Sequence, residues 1–194
     1  PALRVLLERG EGVHLEPWLA QVKGYPTRPG SIEALHMFMQ EGITHPRLVP
    51  MLKERWPFCE RDFRIDVTRV MAKHPTPEAI AFLEAVVMDP EEDPEVRLFG
   101  LNSLGNAGDA CVPSLFRVWE QKPSPATSDR LFGLMLRYAE RDDIREFCFQ
   151  LVVDPDAPDF AKAQMLSKLP LSYREDAYPV LLQAREATER PEIH

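Results

Sequence analysis

An all-α chain built from stacked helix pairs is predicted by three observations. Apolar pairs recur along the sequence: Leu48/Met51, Ile80/Leu83, Val112/Leu115, Ile144/Phe147 and Tyr178/Leu181, with first members 32, 32, 32 and 34 residues apart. Prolines just beyond the pairs keep the same beat, at Pro57, Pro90, Pro123, Pro155 and, more loosely, Pro191. The segment Arg97-Leu-Phe-Gly-Leu101 returns verbatim as Arg130-Leu-Phe-Gly-Leu134, and Arg64 stands one further period upstream. A period of this size marks two-helix units that cannot bury their apolar faces alone and must stack.

In chain order, residues 1–30 read as an irregular N-terminal capping segment. They hold two apolar stretches, Leu3 to Leu7 and Leu15 to Val22, then a Gly/Pro-rich loop from Gly24 to Gly30. Terminal repeats are commonly atypical because they must close the hydrophobic stack. Residues 31–187 read as about five complete pairs. Ser31 precedes Ile32, Leu35, Phe38 and Met39, and Gly42 is placed to end that helix. Thr76-Pro77-Glu78 is a capped start for Ile80, Leu83 and Val87, with proline at the first helical position.

The clearest unit runs from Asp93 to Pro123. Asp93 caps, Pro94 opens, and Val96, Leu98, Phe99, Leu101 and Leu104 form a broad apolar face at helical spacing. Gly105 and Gly108 end the helix, and Asp109 starts a second one with Val112, Leu115, Phe116 and Trp119 facing inward. Asp142 or Asp143 is placed to cap the helix of Ile144, Phe147, Cys148 and Leu151, and Asp159 the helix of Phe160 to Leu169. Residues 188–194 read as a frayed tail.

The unit from Asp93 to Leu115 resembles a HEAT repeat, especially the short HEAT-like variety. An acidic residue leads, Val96-Arg97 follows, Leu104-Gly105 ends the first helix, Gly108-Asp109 opens the second, and Val112-Pro113-Ser114-Leu115 begins it. Val49-Pro50-Met51 and Tyr178-Pro179-Val180-Leu181 echo the proline, while the units at 77–90 and 142–155 lack it. The interval is shorter than the roughly 40–47 residues usual in HEAT and armadillo units. Tetratricopeptide and ankyrin patterns are absent. The resemblance implies a right-handed α-α solenoid of about five to six helix pairs. It also implies that Arg64, Arg97, Arg130 and Lys162 form a ladder, with Asp62, Asp93, Asp129 and Asp159 as nearby carboxylate partners.

The 194 residues are 44% hydrophobic and 28% charged, enough for a sizeable core and unlike a disordered chain. The formal charge of 23 − 31 = −8 disfavours a nucleic-acid backbone or an anionic membrane surface as main ligand. A basic protein partner suits it better, although an acidic surface also serves solubility. Three widely spaced cysteines, without a CxxC arrangement, indicate buried free thiols and a cytoplasmic setting. No membrane-length apolar run and no signal peptide is visible.

Catalytic signatures are missing. The histidines show neither HxxxH nor HExxH spacing, and the glycines no phosphate-binding or nucleophile-elbow pattern. His74, before Pro75, is read as helping to satisfy carbonyls at a helix end. The carboxylate-rich run Asp89 to Glu95 lacks the central glycine of a calcium loop, and is read as stopping one helix and capping the next. No cofactor or metal is expected.

The second helix of each unit is expected to line the concave face. Positions two and five residues after its first core residue point away from the apolar stripe. Phe82, Ser114 and Glu146 fall at the first of these; Lys53, Ala85, Arg117, Phe149 and Gln183 fall at the second. Phe82 and Phe149 stand out, because a face expected to be polar carries two aromatic rings; lateral packing between adjacent second helices is the competing explanation. Phe82, Phe149, Arg117, Glu146, Lys53 and Gln183 are therefore the candidate partner-binding residues. The expected function is a noncatalytic scaffold or adaptor that grips a protein or peptide, with an acidic inhibitor or immunity-type protein as one form. The alternative is an enzyme on similar repeats, such as a DNA glycosylase or a bilin lyase; the glycosylase conflicts with the acidic charge.

Overall fold

The computed structural model describes residues 15–24, 30–41 and 46–154. These form nine α-helices and three short 3₁₀ turns, with no strand among the described residues. The helices are α1 Leu15–Lys23, α2 Ser31–Glu41, α3 Leu48–Arg55, α4 Arg61–Lys73, α5 Pro77–Met88, α6 Pro94–Leu104, α7 Val112–Glu120, α8 Pro125–Met135 and α9 Asp142–Val153. Helices α2 to α9 lie in the segments where the period places four pairs, α2/α3, α4/α5, α6/α7 and α8/α9. The fifth predicted pair, the frayed tail and the helix after Asp159 lie outside the described residues, as do Gly42 and most of the capping segment.

Local chemistry sets the boundaries. Thr76 accepts a hydrogen bond from the Ala79 N–H, Asp93 from Glu95 and Val96, and Ser124 from Thr127, each followed by proline at the first helical position. Helix α9 departs from expectation. Its cap is Arg141, with no side-chain capping bond, while Asp142 and Asp143 lie within the first turn. There the carboxylates face the positive helix end. Asp143 also accepts two hydrogen bonds from Arg141, which with the Ile144 N–H hold its carboxyl below the usual carboxylate range.

Contact density divides the chain between Val118 and Trp119, inside α7. In the N-terminal unit the first helices of successive pairs pack on one another, α2 on α4 and α4 on α6, while α5 packs on α6. The core is drawn from the stripes the spacing marks: Leu35, Phe38, Leu48, Leu52, Met71, Leu83, Leu101, Leu104 and Leu115 are fully buried. Burying side chains of this size stabilises by roughly 1.5–3 kcal/mol each. Leu98 is the exception in its helix, 45% exposed rather than on the apolar face. Helix α6 approaches α5 at Gly100, where an added Cβ would lie 3.2 Å from a Val86 methyl. A buried polar seam joins α4 to α6: Thr68 donates to the Ile65 carbonyl, and Ser103 donates to the Thr68 hydroxyl.

In the C-terminal unit Trp119 packs edge-on against Phe147, 5.4 Å between centroids, and tilted on Phe132. Leu131, Phe132, Met135, Ile144 and Cys148 are buried in this unit.

Candidate functional site

Arg64 and Arg97 of the expected ladder take other partners than the carboxylates nearest in sequence. Arg64 Nη1 donates to both oxygens of Glu92, at 2.8 and 2.9 Å, and its guanidinium stands over the Trp56 ring. Glu92 lies 28 residues downstream, in the loop before α6, and its side chain is only 4% exposed. Asp62 instead meets Arg61, and Asp93 is occupied in capping α6. Arg97 donates to the Val87 carbonyl at the end of α5. An arginine in the first turns of α4 points toward the neighbouring unit, so its carboxylate comes from that unit's loop. Lys162 and Asp159 are outside the described residues.

The second helices of the N-terminal unit are joined by charge and ring contacts. Lys53 on α3 donates to Glu78 on α5 at 2.9 Å. Arg117 on α7 makes a two-pronged contact with Glu84 on α5, both bonds at 2.6 Å, and also donates to Ser114. The Arg117 hydrogen bond, aided by Ser114, holds the Glu84 carboxyl below its ordinary range. Phe82 meets Trp56 edge-on, with centroids 5.0 Å apart, and packs with Trp56 and Phe99 on a buried cluster of Ile65, Val86 and Val96.

These contacts sort the candidate residues. The first outward position, two residues past the start of the stripe, lies at the seam between neighbouring second helices: Phe82 is half-buried and Ser114 buried. Phe82 therefore has a packing partner in Trp56, as the lateral-packing explanation requires. The position three residues further along is open, with Lys53, Ala85 and Arg117 all exposed. In the C-terminal unit Glu146 is exposed and accepts from Gln150, and Phe149 is half-buried. Gln183 lies outside the described residues.

A second feature has no counterpart in the sequence reading. Between the start of α3 and the α4–α5 turn lies a groove of about 710 Å³, its described wall formed by Pro46, Val49, His74, Pro75, Thr76, Pro77 and Glu78. His74 is only 5% exposed, and its Nε2 has no hydrogen-bond partner. The expected bond from this imidazole to a helix-end carbonyl is not made. Burial depresses the His74 pKa from its ordinary value. The sequence signal was the His-Pro pair closing an apolar helix, which marks a turn but not a cavity.

All three cysteines are buried and outside any disulfide. Burial pushes the Cys59 thiol up to about 11, against the opposing pull of Arg64 and Arg55, and the Cys148 thiol up to about 12. Neither has the low-pKa, exposed setting of a nucleophile. Among the described residues no group of three or more His, Cys, Asp or Glu side chains is placed to hold a metal, and no helix is long and apolar enough to cross a membrane. Comparison of the chain with protein-family models, with curated proteins and with solved structures gives no match in any of the three.

Proposed function

We propose that this chain is a noncatalytic interaction scaffold, a right-handed HEAT-like solenoid of about five to six helix pairs that receives a protein or peptide on the outer face of its second helices. The observation that carries the reading is the repeated cross-pair contact. In the N-terminal unit first helices pack on first helices, and the ion pairs Lys53–Glu78 and Glu84–Arg117 tie α3 to α5 and α5 to α7. Such ties hold an extended face in fixed register, so that it can meet a partner without reordering. The net charge of −8 favours a basic partner, as an acidic inhibitor would require. A reducing, cytoplasmic setting suits three buried cysteines outside any disulfide.

The test is copurification of a partner in fixed stoichiometry, followed by variants on the open face. Lys53→Glu and Glu146→Lys change charge at exposed positions, while Phe149→Asp removes a half-buried ring. Loss of the partner with any of these, in variants whose circular dichroism is unchanged, supports the scaffold. Retention by all three rejects this face. Binding of a labelled DNA duplex with a steep dependence on ionic strength would replace the scaffold with a nucleic-acid enzyme.

A further inference from the structure

We infer that the groove between the start of α3 and the α4–α5 turn is a binding site for a neutral, largely apolar small molecule whose one hydroxyl or amide bonds the His74 imidazole. The site is distinct from the second-helix face proposed above. Its volume of about 710 Å³ falls among ligand pockets, which run from about 300 to 1,000 Å³ and combine apolar walls with few polar groups. The apolar part of the described wall is Pro46, Val49, Pro75 and Pro77, and His74 lines the groove with them. Prolines also remove backbone N–H donors, leaving fewer polar groups to hold water or an anion.

The polarity of the ligand follows from what the groove lacks. A helix N-terminus normally offers free N–H groups to an anion. At α5 that offer is reduced: Pro77 has no N–H and Thr76 already takes the Ala79 N–H at 3.2 Å, which leaves the Glu78 N–H. Glu78 adds a negative charge to the wall, and the nearby Lys53 ammonium is spent on it at 2.9 Å. Among the described wall residues no lysine or arginine is present to neutralise a phosphate or carboxylate, and the Glu78 charge opposes one.

His74 supplies the specific contact. Buried polar groups are almost always hydrogen-bonded, and an unpaired one calls for a partner. Among the described residues Nε2 has none, although the residue is 95% covered (5% exposed). A half-turn about the last side-chain torsion exchanges ring nitrogens for ring carbons without moving the backbone, so a nitrogen can be turned to a bound molecule. Because burial favours the uncharged imidazole, its fitting partner is a neutral hydroxyl or amide.

The experiment uses the full chain with nitrogen-labelled histidine, the His74 signal being assigned by its loss in His74→Phe. The probes are 2-naphthol, 2-naphthoate and inorganic phosphate. Saturable shifts of the His74 signal with 2-naphthol are expected, with 2-naphthoate at least about fivefold weaker and phosphate without effect. His74→Phe, followed by naphthol fluorescence, should weaken binding at least about fivefold, the worth of one hydrogen bond. Pro46→Trp, an exposed wall position whose larger ring fills the groove, should abolish it and leaves the result readable if His74→Phe is unstable. The inference is overturned if 2-naphthol does not saturate, if both variants bind it unchanged, or if either anion binds more tightly. It is also overturned if His74 responds only to a copurified protein, since the groove would then belong to a protein interface.

Discussion

Replacing Glu92 with alanine removes the carboxylate that Arg64 reaches from the preceding unit. Both sides of the contact are sheltered, the Glu92 side chain 4% exposed and the Arg64 side chain 25%. Breaking a fully buried pair by deleting one partner costs about 3–5 kcal/mol, because the remaining charge is left uncompensated. Arg64 retains some solvent and the face of Trp56, so we place the loss at about 2–3 kcal/mol. For a chain of this size that lowers the melting temperature by about 5–10 °C. Glu92→Gln keeps the shape and an acceptor for the Asp93 N–H, and should fall by about half as much. The control is Glu78→Ala, which removes the partner of Lys53, a pair with side chains 39% and 46% exposed. An ion pair so open contributes less than about 1 kcal/mol, or about 3 °C at most. Thermal unfolding followed by circular dichroism, at low salt and again with about 0.5 M sodium chloride, separates the cases, since screening acts mainly on exposed charges. A Glu92→Ala melting temperature within about 2 °C of that of Glu78→Ala would refute the stabilising role of the sheltered pair.

Three further outcomes follow from the same geometry. Burial depresses the His74 pKa from its ordinary 6.5, so the unfolded chain takes up the proton first, and stability present above about pH 6.5 should fall as the pH drops below it. Urea midpoints between about pH 7.5 and 5.5 should show that decline, flattened in His74→Phe; an unchanged slope would tell against it. The Arg117 hydrogen bond depresses the Glu84 carboxyl below its ordinary 4.5, so its contribution is complete above about that pH and is lost as the pH falls through the lower folded value. Glu84→Gln should weaken the acid dependence of the midpoint below about pH 4.5, and a dependence as steep as the parent's would refute the pairing. With thiols pushed up to about 11 and about 12, Cys59 and Cys148 should resist alkylation in the native chain and react promptly in denaturant; rapid native labelling of either would contradict their burial.

How much of this was legible in the sequence depends on what each contact needs. Helix starts at Thr76 and Asp93 are local, set by a side chain and a neighbouring N–H three or fewer residues away. The spacing of Leu48, Ile80, Val112 and Ile144 is likewise enough to place a buried stripe in each second helix, and all four are buried. Arg141 shows the limit of local reasoning, since two adjacent aspartates offered equally good caps and neither serves.

Contacts between units depend on how one pair is rotated and displaced against the next, which a one-dimensional period does not encode. Asp62 is two residues from Arg64 but on the same helix, and two residues along a helix turn a side chain toward a different face. Glu92 is 28 residues away and meets it because stacking carries the next loop there. The same geometry redraws the candidate surface. Helical phase alone puts Phe82 and Ser114 opposite the apolar stripe, yet a second helix has neighbours on its flanks as well as beneath it. Those flanks take up Phe82 against Trp56 and Ser114 against Glu84, leaving positions such as Lys53 and Ala85 to solvent. An outward aromatic ring in a stacked helical unit is thus evidence of a neighbouring helix before it is evidence of a ligand. On this chain the exposed charges test the scaffold better than Phe82 does.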